Sequence, residues 1–242
     1  MIKEIHFKLG MNKFCALNKK CPDKDSSVAN SLGLGDKNLP FKMITIGVIG
    51  DGSCLYHSIA YSLNIENYKQ SPYRVRKNLV KNMRSFISNT IQKKTWHQFW
   101  IGLLGKREYL KLMSIGAIPS HKSIKTKMKQ TSVWGDFFQI IYIMRKIFNV
   151  NILFVDDKNR SLYCGTDNFK QSKYSIIIQW VRKGSYAHFQ PVEVHDKRTG
   201  DSATKIRNDS NLMKLIYSKY KRVCGKDSLK DSILKQGYAY EK

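Results

Sequence analysis

Residues 43 to 63 constrain this chain more than any other stretch. An apolar run, MITIGVIG, meets the turn Asp51-Gly52-Ser53-Cys54, which opens directly into LYHSIAYSL, whose apolar positions recur at helical spacing. A bend this tight favours a residue without a Cβ, and Gly52 supplies one. Cys54 therefore stands at or near a helix N-terminus, where unpaired backbone N–H groups and the helix dipole favour negative charge. Such a place is expected to lower the thiol's pKa and raise the thiolate fraction at neutral pH. The backbone from Asp51 through Gly52 and Ser53 to Cys54 can also donate to the oxyanion that forms when sulfur attacks a carbonyl.

A nucleophilic thiol needs a base, which later protonates the leaving amine. The chain has six histidines. His6, His97, His121 and His195 have nothing nearby that marks them. His57 follows Cys54 by three residues, but two side chains on one helix have little freedom to align ring and sulfur. His188, in the apolar and aromatic segment YAHFQPV, reads as a strand residue that can cross in front of the helix terminus. The five cysteines are odd in number and lack CxxC spacing, so neither a zinc site nor a disulfide framework is expected, and a reducing compartment is the default.

The remaining organisation is that of one α+β domain. Val75, Leu79, Met83, Phe86 and Ile87 predict one long helix from Pro72 to Lys93, and shorter helices are expected at about Trp96 to Leu104 and Arg107 to Ser114. Residues Ile118 to Ser132 read as a mobile, lysine-rich loop. Trp134, Phe137, Ile141, Met144 and Phe148 form the core-facing stripe of another helix, with Asn149 as its stop. VNILFV, SLYC, YSIIIQWV and SYAHFQPV read as strands of a small central sheet, with RKGS as a hairpin turn. Residues 1–43 are expected to pack on the domain as an extension, 44–195 to form it, and 196–242 to be a basic, partly helical tail. Trp96 and Trp100 are assigned to the core, with a substrate-facing surface as the alternative.

Charge is concentrated. The net charge is +25, and between Lys69 and Val133 fifteen Lys or Arg face a single acid, Glu108. Arg74, Lys77, Lys81 and Arg84 fall on a stripe opposite the apolar one. Such a stripe is either a solvated face or a surface for a polyanion, most readily acidic phospholipid headgroups. Hydrophobic residues at 42% are too many for a disordered chain, and no apolar run is long enough to span a bilayer. The first fifteen residues lack an apolar signal-peptide core.

Taken together, DGSCLYHSIA, then WGD opening a helix, then AHFQPV resemble the ovarian-tumour (OTU) family of cysteine deubiquitinases, over roughly residues 44 to 195 and in the family's order. The resemblance implies a papain-type fold with the nucleophile at a helix N-terminus. It further implies Cys54 as nucleophile, His188 as general base, Asp51 as the acidic member of the motif and the turn's backbone as oxyanion hole. The family usually carries Asn or Asp two residues after its histidine, whereas this chain has Gln190. Asp51 and Gln190 thus both stand for the third catalytic role.

The activity implied is thiol-dependent hydrolysis of the isopeptide bond after the C-terminal glycine of ubiquitin, or of a ubiquitin-like modifier, with no metal or organic cofactor. Two alternatives stay open. One is a different papain-like cysteine protease, and the other is a basic module on an OTU-like fold that binds membrane or nucleic acid. The expected partner is ubiquitin or polyubiquitin, with an anionic membrane surface second and nucleic acid not favoured. A cytoplasmic monomer is expected, in a host cytosol if the chain is a pathogen effector.

Overall fold

The computed structural model describes residues 39–131, 147–156, 161–164, 172–183 and 186–220. The helix expected from Trp134, the WGD motif, His6 and most of the N-terminal extension lie outside these residues. In chain order the elements are β1 (Phe41–Thr45), α1 (Cys54–Leu63), a 3-10 segment (Ile65–Gln70), α2 (Tyr73–Thr90), α3 (Lys93–Leu104), α4 (Lys106–Ser114) and α5 (His121–Lys129). They continue with β2 (Val150–Asp156), β3 (Ser161–Cys164), β4 (Tyr174–Lys183), β5 (Tyr186–Asp196), β6 (Ser202–Ala203), β7 (Lys205–Arg207) and α6 (Asn211–Tyr220).

The strands form one sheet in the order β1-β5-β4-β2-β3, with β6 beside β5 and β7 beside β4. Only β2 and β4 run parallel among these pairs; the rest are antiparallel. β2 is buried along its whole length because the sheet has a covered face on each side. Alternation sends Ile152 and Phe154 into a core with Tyr56, Ile59, Trp96, Trp100 and Phe189, beneath the helices α1 to α5. Leu153 and Val155 point the other way, against Met213 and Ile216 of α6. The α+β expectation of a sheet flanked by helices holds.

Several local expectations change. Ile118 to Ser132 is not a bare loop: Ile124 and Met128, four residues apart, bury one face of α5, and the Ser120 hydroxyl accepts from the Ser123 N–H at 3.1 Å to cap its start. A polar, lysine-rich composition hid a helix with a two-residue apolar stripe. The residues read as a basic tail also enter the fold, since β7 pairs with β4 and α6 buries Leu212, Met213 and Ile216. Along α2 the buried positions are Leu79, Val80, Met83, Arg84, Ile87 and Ser88, while Val75 and Phe86 are exposed. Asn149 does end the preceding helical turn, in the left-handed region at φ 51°. Trp96 and Trp100 are buried edge to face, centroids 5.5 Å apart, and so belong to the core.

Candidate functional site

The turn before α1 is held by its own side chains. Gly52 adopts φ 80°, a region that L side chains rarely enter, and the Ser53 N–H then donates to Asp51 Oδ1 at 3.1 Å. Cys54 follows as the first residue of α1, a free thiol only 3% exposed. Strand β5 passes beside it. Ser58, one turn into α1, donates to the Phe189 carbonyl at 3.0 Å, and the Phe189 N–H reaches the Cys54 sulfur. Helix start and strand are thereby fixed together, with His188 the residue before the joint.

Burial pushes the Cys54 thiol above its ordinary pKa. The N–H groups of Phe189, Leu55 and Cys54 pull the other way, and the Asp51 carboxylate adds to the upward push. The expected lowering at the helix terminus is therefore overturned: the stabilising N–H groups are present, but desolvation outweighs them. His188 moves in the opposite direction. Burial lowers its pKa, partly offset by the Val48 carbonyl, which accepts from the ring. Thiol and imidazole both favour their neutral forms in the free protein.

Asp51 turns toward a different histidine. Its carboxylate lies 3.3 Å from His57 Nε2, whose Nδ1 is 2.7 Å from the Tyr68 hydroxyl. The Asp51 carboxylate can only accept, so the His57 proton sits on Nε2, and Nδ1 accepts from the Tyr68 hydroxyl, which burial keeps protonated. Burial also pulls His57 down to about 4, against the pull of Asp51. With both ring nitrogens engaged, His57 has none to offer the thiol. The other described histidines are held elsewhere: His97 by Tyr109, His121 by the Ile91 carbonyl at 2.9 Å, and His195 by Glu193 at 3.1 Å.

Within the turn, the Ser53 N–H is occupied by Asp51, so the oxyanion donors narrow from the four expected to the remaining N–H groups around the sulfur. Gln190 lies two residues beyond His188 on β5, opposite Gln179 of β4, and is half-buried. Among the described residues no cluster of His, Cys, Asp or Glu can hold a metal ion.

The cationic stripe does not survive intact. Arg74, Lys77 and Lys81 are exposed, but Arg84 is fully buried. Its Nε donates to the Met128 carbonyl at 2.7 Å, one Nη to Lys127 at 3.0 Å and to Gln130, and the other to Ser53 Oγ at 3.1 Å. The guanidinium also stands 4.2 Å from the Tyr56 ring centre. Its assignment to an anion-binding surface is wrong, because the C-terminal carbonyls of α5 supply the partners that make a buried cation tolerable. The sequence carried one signal of this: Arg84 lies four residues after Val80 and three before Ile87, both buried.

The model of OTU-like cysteine proteases matches residues 49–189, from the turn before Cys54 to the strand carrying His188. This chain belongs to that family. The OTU-like cysteine protease assignment covers Asp51, Gly52, Ser53, Cys54 and His188, and it removes the alternative of a papain-like protease outside the family. Among solved structures, an ovarian tumour (OTU) domain in complex with ubiquitin is 16% identical, with a TM-score of 0.48, over 79% of this chain and 89% of that one. The OTUD1 OTU domain is also 16% identical, with a TM-score of 0.37, over 62% of this chain and 85% of that one. Comparison with curated proteins finds no match.

Proposed function

We propose that this OTU-like cysteine protease is a deubiquitinase that hydrolyses the isopeptide bond after the C-terminal glycine of ubiquitin, with Cys54 as nucleophile and His188 as general base. The observation that carries this is the Cys54 sulfur, ringed by the N–H groups of Phe189, Leu55 and its own backbone, beside the strand that bears His188. Because thiol and imidazole both rest neutral, His188 takes the thiol proton as the sulfur attacks, and the negative charge passes to the carbonyl oxygen near the helix terminus. His188 then protonates the departing lysine amine. Water, deprotonated by the same ring, releases ubiquitin from the thioester.

Asp51 is assigned to brace the turn, through the Ser53 N–H, and the Val48 carbonyl to hold the His188 ring. The proposal takes the enzyme to act as a monomer in a reducing cytosol, where the Cys54 thiol remains available. A ubiquitin probe with a C-terminal electrophile tests the reading: covalent capture is expected from the parent and not from Cys54→Ala. No adduct with the parent would remove the ubiquitin substrate, and capture by Cys54→Ala would move the nucleophile elsewhere.

A second partner is favoured by the pairing of α2 with α5. These packed helices expose Arg74, Lys77 and Lys81 on the first and Lys122, Lys127 and Lys129 on the second, and neither contains an acid. We propose that this face binds acidic phospholipid headgroups, an attraction screened over about 10 Å at 0.1 M salt. Liposome sedimentation should show salt-sensitive binding to anionic vesicles that weakens when Arg74, Lys77 and Lys81 are changed to Glu. Equal binding to neutral vesicles would refute it.

A further inference from the structure

The residue before the nucleophile is tied to a distant helix end. Ser53 is completely buried, and its hydroxyl donates to the Thr131 carbonyl at 2.8 Å while accepting from Arg84 at 3.1 Å. Arg84 in turn binds the carbonyls of Lys127, Met128 and Gln130, where α5 ends and the helix dipole is negative. The cation also faces Tyr56, two residues after Cys54. One guanidinium thus joins the first turn of α1 to the last turn of α5, using its planar fork for several acceptors at once.

Resting on the protease reading above, we infer that Arg84 is a positioning residue for the oxyanion turn, acting through Ser53. The Ser53 carbonyl accepts from the His57 N–H at 2.9 Å and so moves with α1, while side-chain contacts hold the amide and the hydroxyl. Asp51 restrains the Ser53 N–H from one side, and Arg84 restrains the Ser53 hydroxyl from the other. If the Arg84 fork is lost, the turn can shift by a fraction of an ångström without unfolding α1. That displacement weakens donation to the developing oxyanion, which depends on donors aimed in advance, and leaves sulfur reactivity and ubiquitin docking largely as they were. Lysine retains the charge but gathers its three donors on one nitrogen and cannot span the α5 carbonyls and Ser53 together, so Arg84→Lys should recover part of the function and Arg84→Met none.

The test compares three readouts in Arg84→Met, Arg84→Lys, Ser53→Ala and the Arg84→Met/Ser53→Ala double variant, each confirmed folded by circular dichroism. Hydrolysis of a fluorogenic ubiquitin substrate should show kcat lowered roughly tenfold in Arg84→Met and Ser53→Ala with KM within about twofold. Inhibition by ubiquitin aldehyde should weaken in parallel, because sulfur adds to the aldehyde carbon while the proton passes to its oxygen, which then occupies the oxyanion position. Alkylation of Cys54 by iodoacetamide displaces iodide and builds no oxyanion, so its rate should stay within about twofold of the parent. The double variant should be no worse than the poorer single one, since both cut the same link.

A merely structural Arg84 would lower thermal stability without this split between aldehyde and iodoacetamide. Unchanged kcat and aldehyde inhibition in folded variants, or additive losses in the double, would overturn the role. Should Arg84→Met not fold, Arg84→Lys decides: kcat and aldehyde inhibition lowered, but by less than in Ser53→Ala, support the role, and parent values overturn it. A parent enzyme that neither cleaves the substrate nor binds the aldehyde brings down the ubiquitin reading and this inference together, whereas an active parent with undiminished variants brings down only Arg84.

Discussion

Removing the Asp51 carboxylate should cost this enzyme more than removing Gln190. Asp51 accepts from the Ser53 N–H at 3.1 Å and faces the Nε2–H of fully buried His57 at 3.3 Å. In Asp51→Ala the ring N–H loses its acceptor, a penalty of about 1–3 kcal/mol, and a charge-assisted bond to the turn, of about 1.5–3 kcal/mol, goes with it. The Asp51 side chain is 19% exposed, so water recovers part of both. A net loss of about 2 kcal/mol in folding stability is expected. The catalytic loss follows from freeing the Ser53 N–H beside a glycine already at φ 80°: kcat/KM should fall tenfold or more, equivalent to about 1.4 kcal/mol of transition-state stabilisation. Gln190→Ala removes at most a neutral bond, about 0.5–1.5 kcal/mol, from a half-buried strand position. Asp51→Asn keeps an acceptor for the Ser53 N–H without the charge and should lie between. Steady-state cleavage of a fluorogenic ubiquitin substrate, with thermal melts by circular dichroism, measures both effects. If Gln190→Ala is the slower enzyme, Gln190 takes the third catalytic role and the bracing argument fails.

Two further outcomes follow from the buried titrating groups. Since burial raises the pKa of Cys54 and lowers that of His188, iodoacetamide should alkylate the substrate-free enzyme faster as pH rises through 8 and beyond; a plateau already reached below about pH 6 would indicate a standing thiolate–imidazolium pair. His57 has a folded pKa of about 4 against an ordinary 6.5, so the unfolded chain binds the extra proton between these values and stability falls as pH drops from 6.5 toward 4. The loss is on the order of 3 kcal/mol from this group. Urea unfolding of the parent and His57→Gln at pH 7 and pH 5 should show the parent losing more, and equal losses would remove His57 as the cause.

The nucleophile, its helix and its distant histidine were legible in the sequence because each rests on a local signal. An apolar run, a glycine turn and a helical period place Cys54 at a helix start whatever surrounds it, and an aromatic-flanked His188 reads as a strand residue from its own neighbours. The strands with continuous apolar runs were legible for the same reason. Asp51 stood in the sequence as a candidate for the third catalytic role, and only the folded chain, by bringing Tyr68 and His57 behind it, directs its carboxylate to bracing the turn. Arg84 looked like one more cation on an amphipathic helix, because its carbonyl partners lie 43 to 46 residues further along and Ser53 lies 31 residues back. The thiol's pKa was misjudged on the same ground: the helix terminus is a local feature, but desolvation is set by every element packed around the sulfur. Sequence determines where a backbone turns and which face is apolar. Whether a charge on that backbone meets water or a ring of carbonyls is decided by tertiary packing, since burial and dielectric environment depend on chain segments that local spacing does not describe.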